Sequence, residues 1–346
     1  MPTRVFIDAN VFISDGRPPG KDVVRALTNL VNNGKIEVLV TNLTINEVTK
    51  HFTGHDLAQV KDVLKPSVRQ LINDVVDVNL PVLTRDELDD RIWNINKEAV
   101  ESMLSGLKAV TLDIDDLKPM DILYEYSRQR GMFSLSNKKY QFPDAFILKR
   151  IEIETGRGDI IIFTQDGDFD VANNFQGDGN ISVAHNPQAL FEQLDLTVED
   201  GVIEYFLGSQ VDTLIDGALT GLGDFFIYVE EQDELEAEAV SVDAIRILEV
   251  GEFETQEGEI FVTGAMEVSA TFAFSGPDMS TATYDHEDGR AYAWQETEGE
   301  VTQDVTMKFT MTVSLDERGL PEAVESFHFV NDGYIWLQLY DPDEWR

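Results

Sequence analysis

Four acidic residues stand where a folded chain could bring them together: Asp8, Glu47, Asp144 and Asp166. Asp8 closes the short apolar run Arg4-Val-Phe-Ile7. Glu47 falls in the first turns of a helix that Thr41 or Asn42 can cap. Asp144 follows Pro143, a residue suited to the first turn of another helix. Asp166 opens the run Asp166-Gly-Asp168-Phe-Asp170, just after the isoleucine-rich stretch Asp159 to Phe163. Sites in parallel α/β sheets form at the carboxyl ends of the strands, so these segments can deliver their acids to one edge. Clustered carboxylates repel one another or take up protons, and a divalent cation removes that cost. Hard oxygen donors without Cys or His select magnesium or manganese over zinc. An ion held this way lowers the pKa of a bound water and stabilises the leaving oxygen of a phosphodiester.

The elements needed to position these acids can be read from periodicity. Arg4 to Ile7, Ile36 to Val40, Asp159 to Phe163 and Ile181 to Ala184 are short apolar strands. Between them, Lys21 to Asn33 carries Val23, Val24, Leu27, Leu30 and Val31 on one helical face, and Gly34 ends it. Residues 56–131 read as mostly helical, with Pro66 expected to kink one helix. Strands alternating with helices predict a parallel sheet covered on both faces. After about residue 200 the period changes from helical to alternating. Val202, Tyr205, Phe206, Leu214 and Ile215 suggest a single connecting helix. Met266 to Phe274 and Val305 to Leu315 then alternate apolar with polar or small residues, as antiparallel strands with one wet face do. Asn331-Asp332-Gly333 reads as a hairpin turn joining Phe327 and Phe329 to Ile335, Leu337 and Leu339. The expected organisation is an α/β domain over 1–198, a connector helix over 199–222 and an antiparallel β domain over 223–346.

Charge separates the same two halves. The 346 residues carry 65 Asp+Glu and 26 Lys+Arg, a net of −39. Residues 1–200 hold 32 acids against 21 bases, whereas residues 201–346 hold 33 against 5. An acidic bias confined to one half implies two units with different jobs, and the acidic unit should repel nucleic acid. It could instead dock a basic protein partner, or imitate nucleic acid and occlude the site until displaced. No apolar stretch reaches the ~18 residues needed to cross a bilayer, and the segment around Asp8 is no secretion signal. The expectation is a cytoplasmic protein with no membrane partner. The absence of cysteine excludes disulfides and thiolate zinc sites.

Four motifs together resemble the PIN-domain nucleases: Phe6-Ile7-Asp8-Ala9-Asn10, Thr44-Ile-Asn-Glu47-Val48, Pro143-Asp144-Ala145-Phe146-Ile147 and Phe163-Thr164-Gln165-Asp166-Gly-Asp168-Phe169. Order and spacing agree over roughly residues 3–190. The resemblance implies a metal-dependent nuclease using Mg or Mn. An endoribonuclease is expected ahead of a structure-selective DNA nuclease, leaving a 5′-phosphate and a 3′-hydroxyl. It implies that Asp8, Glu47, Asp144 and Asp166 are metal ligands and that Asp168 is an auxiliary acid. Thr164 and Asn10 would then orient ligands or water. Lys138, Lys139, Lys149 and Arg150 flank Asp144 and are candidate phosphate contacts, with an ordinary exposed loop and helix as the equal alternative. The long span from Glu47 to Asp144 and the appended β domain depart from the compact toxin-like members. A toxin or phage-defence setting, a homo-oligomer, and a catalytically weak scaffold that recruits a protein partner all stay open.

Two metal motifs are set aside. A calcium loop starting at Asp166 would need Gly at residue 171 and Glu at residue 177, which are Val171 and Gly177. His51 and His55 have the spacing of a zinc-protease pair, but Phe52 stands where that motif requires Glu.

Overall fold

The computed structural model describes residues 2–134, 141–174, 177, 179–198, 202–230, 234–278, 281–285, 290–330 and 334–339. They divide into two compact units, Met1–Asp195 and Leu196–Arg346.

The first unit is built on β1 (Thr3–Ile7), β2 (Ile36–Thr41), β3 (Val110–Leu112), β4 (Ile160–Phe163) and β5 (Ile181–Ala184). The sheet order is β3-β2-β1-β4-β5 and every pairing is parallel. Helices α1 (Ala9–Ser14) and α2 (Asp22–Asn32) connect β1 to β2. Then α3 (Asn42–Val60), α4 (Pro66–Val76) and α5 (Arg85–Gly106) lead to β3, α6 (Pro119–Arg128) and α7 (Phe142–Glu154) lead to β4, and α8 (Pro187–Gln193) follows β5. With helices on both faces, the central strands have no wet side, which is why Val5, Phe6 and Ile7 are all fully buried in succession. The chain builds outward from β1 through β2 to β3, then crosses to β4. The carboxyl ends of β1 and β4 therefore flank the crevice where strand order reverses, the usual place for a site.

Two polar anchors set the helices that matter for that crevice. Asp15, buried just after α1, accepts backbone N–H bonds from Lys21, Val23 and Val24 at 2.7–3.0 Å and so caps α2 from outside the helix. Gly20 makes this possible, since a Cβ there would lie 2.6 Å from the Val24 side chain and 2.9 Å from the Asp15 carboxylate. At the other end of the unit, buried Glu154 receives Arg4 at 2.6 Å, Arg150 at 3.1 Å and Arg157 at 3.1 Å. This charge cluster ties the last turn of α7 to β1, fixing the helix whose first turn carries Asp144.

Pro66 begins α4 instead of kinking a longer helix, because a residue without N–H costs nothing where the helix has no partner for it. The short strand β3 lies inside the stretch expected to be helical.

The second unit opens with α9 (Ile203–Ser209) and α10 (Val211–Leu222), so the expected single connector is two helices that break at Gln210. Their Ile203, Leu207, Leu214, Ala218 and Leu222 belong to the core of this unit. After β6 (Phe226–Val229) come the long strands β7 (Glu236–Gln256) and β8 (Glu259–Pro277), the short β9 (Thr283–Asp285) and β10 (Arg290–Tyr292), then β11 (Glu296–Leu315), β12 (Pro321–Phe329) and β13 (Tyr334–Leu337). The main sheet runs β12-β11-β8-β7 and is antiparallel throughout. Val262 and Met266 of β8 lie beside Met311 and Met307 of β11, and with Val268, Ala270, Phe272, Phe309 and Val313 they belong to one buried core. Helix α10 packs there through its glycines: a Cβ on Gly217 would lie 2.9 Å from the Phe327 ring, and one on Gly221 would lie 2.8 Å from the Phe329 ring.

One pairing differs from expectation. β13 does not turn back on β12 but pairs in parallel with β6. The apolar alternation of the segment is satisfied by either neighbour, and the buried Ile335 and Leu337 reach the same core by this route. The Asn331-Asp332-Gly333 turn lies outside the described residues.

Candidate active site

Asp8 follows β1 directly and serves as N-cap of α1, accepting from the Ala9 N–H at 2.8 Å. Its other oxygen accepts from the Thr164 hydroxyl at 2.7 Å. Thr164 is itself fully buried and stands just past β4, with its N–H held by the Ala184 carbonyl at the end of β5. Its hydroxyl oxygen also accepts from the Asn10 amide at 3.1 Å and from the Asp166 N–H at 3.1 Å. Asn10 returns a contact by accepting from the Gln165 N–H at 3.1 Å. The ends of β1 and β4 are thus joined by a polar mesh with Thr164 at its centre. Asp166 accepts from the Asp168 N–H at 3.1 Å, which folds the acidic run back on itself.

Burial pushes the Asp8 carboxyl up to about 6, against the Thr164 and Ala9 hydrogen bonds, and the charges of Glu47 and Asp166 add to the rise. Asp144, in the first turn of α7, is pushed up to about 7, by burial first and then by Asp8, Asp168, Glu47 and Asp166. Glu47 is open to solvent on α3, yet the protein around it still raises its carboxyl, with Lys50 pulling the other way. Four segments far apart in sequence therefore carry acids near enough to raise the carboxyls of Asp8 and Asp144.

The donor set is carboxylate oxygen with hydroxyl and amide support, and its mutual repulsion is what a hard divalent cation relieves, so type and charge both fit. Spacing is looser than chemistry. Among the described residues no three His, Asp or Glu side chains stand close enough together to hold an ion as placed. The two observations measure different things: repulsion acts over several ångströms, whereas coordination needs contact near 2 Å, on the order of a metal–oxygen bond.

The basic candidates have other occupations. Lys149 pairs with Glu125 at 3.1 Å and Glu152 at 2.9 Å. Arg150 pairs with Glu154 and donates to the Asp113 carbonyl at 3.1 Å. Lys138 and Lys139 lie outside the described residues. His55 contacts Arg17 and Asp56 on the surface, and burial lowers the His51 pKa with the help of His55.

Two contacts leave no signal in the sequence. Gln141, just before α7, donates its amide to Asp168, linking the Asp144 helix to the acidic run. His185, just past β5, pairs with Asp170 at 2.8 Å. Both join segments that only the fold makes neighbours.

A parallel sheet of this order, with Asp8 and Asp166 joined through Thr164 past the ends of β1 and β4, defines an α/β domain with acids at the carboxyl ends of its central strands. A family model described as PIN domain matches residues 5–169, most of the first unit. PIN domains form a superfamily of nucleases that are generally metal-dependent. The match ends before the second unit, and no curated protein matches the chain. Among the described residues, no helix is long and apolar enough to cross a membrane.

Proposed function

We propose that the first unit is an endoribonuclease that works with Mg or Mn, with Asp8, Glu47, Asp144 and Asp166 as the residues that hold the ion. The observation that carries this reading is Asp144, whose carboxyl is raised by burial first and then by four other acids from three separate segments. When bound, the ion supplies a water of lowered pKa and a counter-charge for the phosphodiester. The chain's own groups do the rest. The Thr164 hydroxyl fixes which way the Asp8 carboxylate points. Asn10 holds Thr164 and the Gln165 backbone in register with it. Gln141 keeps Asp168 against α7, where it serves as the auxiliary acid. RNA ahead of DNA rests on the family resemblance alone.

The test is cleavage of labelled single-stranded RNA and DNA, with manganese or magnesium, by the intact chain and by Asp144→Asn. The proposal expects metal-dependent cleavage of RNA that falls by at least about a hundredfold in the variant. Cleavage of DNA alone would transfer the site to a DNA nuclease.

A second reading has one observation in its favour, the open spacing of the acids among the described residues. In it the unit is a weak catalyst kept as a scaffold. Calorimetric titration with manganese separates the two, because a scaffold has no need of a saturable site that Asp8→Ala abolishes.

A further inference from the structure

The small sheet of the second unit turns a row of aromatic rings to solvent. In its parallel register Tyr334 lies beside Phe226, and Trp336 lies beside Tyr228. Alternation puts these four on one face, while Val229, Ile335 and Leu337 point the other way and are buried in the core. The rings make a continuous zigzag, with centroids 6.1 Å apart from Phe226 to Tyr334, 5.6 Å from Tyr334 to Tyr228 and 5.2 Å from Tyr228 to Trp336, the last pair stacked. Phe226, Tyr334 and Trp336 are 60%, 61% and 54% exposed. Single exposed apolar residues need no explanation, but a contiguous aromatic patch of this kind marks a binding surface.

Charge selects what it binds. Residues 201–346 carry 33 Asp+Glu against 5 Lys+Arg, and Asp224 and Glu230 stand just beyond the two ends of β6. Nucleic acid offers flat bases to such rings, but its phosphates meet a strongly negative domain. A second copy of the chain brings the same sign of charge. An arginine-rich peptide suits both features, because its guanidinium groups stack on ring faces and its charge is drawn in by the surrounding acids. We propose that the face formed by Phe226, Tyr228, Tyr334 and Trp336 is the docking surface for an arginine-rich segment of a partner protein. The proposal stands whether or not the first unit cleaves RNA.

The test titrates a fluorescein-labelled Arg-Gly repeat peptide with the full chain and reads anisotropy, with a Glu-Gly repeat and single-stranded RNA as comparison probes. Diffuse attraction to an acidic protein is expected in any case, so the informative readout is dependence on the rings. Trp336→Ala and Tyr334→Ala each weaken Arg-Gly binding about tenfold, while Trp336→Phe, which keeps a ring, stays close to the parent. Both positions are exposed, and thermal melts by circular dichroism establish that the variants fold. Equal affinity across the parent and all folded variants would assign the binding to bulk charge and overturn the proposal. So would absence of binding, ring-dependent binding of the RNA, or ring-dependent self-association in sedimentation.

Discussion

At the scale of single residues, the acids of the site are tied together by a hydroxyl. Thr164 touches Asp8, Asn10 and the Asp166 backbone together. Its bond to Asp8 also opposes the rise that burial imposes on that carboxyl. Thr164→Val keeps the shape and deletes all three contacts. A buried carboxylate that loses a donor is left short of a partner, which costs about 1–3 kcal/mol. Groups that orient a ligand from behind typically account for about 10–100-fold in metal affinity or activity. The variant is therefore expected to bind manganese at least about tenfold more weakly in calorimetry and to cleave correspondingly slower, whereas Thr164→Ser stays near the parent. Unchanged manganese affinity in a folded Thr164→Val would remove Thr164 from the positioning role.

At the scale of elements, Asp15 and α2 show how a helix can be fixed by a residue outside it. Burial raises the Asp15 carboxyl to about 6 from 3.8, against the three backbone N–H bonds it receives and with Asp22 adding to the rise. The sign follows from which state binds the proton more tightly. A carboxyl whose folded pKa is raised stabilises the fold at low pH, and that contribution is lost as pH climbs from the unfolded value through the folded one. The loss is on the order of 3 kcal/mol for two pKa units. Denaturant melts should thus show the parent losing stability relative to Asp15→Asn between about pH 4 and pH 7. Parallel curves for the two proteins would mean that the carboxyl is not perturbed. Asp15 also illustrates what the sequence hides. Strands β1, β2, β4 and β5 were legible because burial on both faces leaves uninterrupted apolar runs such as Ile160–Phe163. The placement of Asp8, Glu47, Asp144 and Asp166 just past strands or in early helical turns was legible from the same runs and from the caps beside them. Strand β3, with three residues of which two are exposed, gives no such run. The caps and bridges made by Asp15, Gln141 and His185 depend on neighbours that only the folded chain supplies. The parallel pairing of β13 with β6 was hidden for a related reason, since alternation fixes which face a strand buries but not which strand lies beside it.

At the scale of the whole molecule, two units with separate cores carry very unequal charge. Residues 1–195 hold 30 Asp+Glu against 21 Lys+Arg, whereas the full chain stands at −39. A polyanionic substrate therefore approaches the full chain against a strong repulsion that the first unit alone would impose far less. Screening weakens that repulsion as the Debye length falls from about 20–30 Å at 10–20 mM salt to about 8 Å at 0.15 M. Most nucleic-acid-binding proteins lose affinity as salt rises, because their basic contacts release counterions. The opposite is expected here: raising monovalent salt over that range lowers the KM of the full chain for RNA several-fold with kcat unchanged. Residues 1–195, made as a separate protein, should fold with their own cooperative melt and start from a lower KM at low salt. Their response to added salt should be weaker. Steady-state cleavage by both forms across the salt series checks this directly. If salt raises KM equally in both, direct basic contacts govern substrate binding and the acidic unit exerts no field on it, which would point back to Lys138 and Lys139 as phosphate contacts.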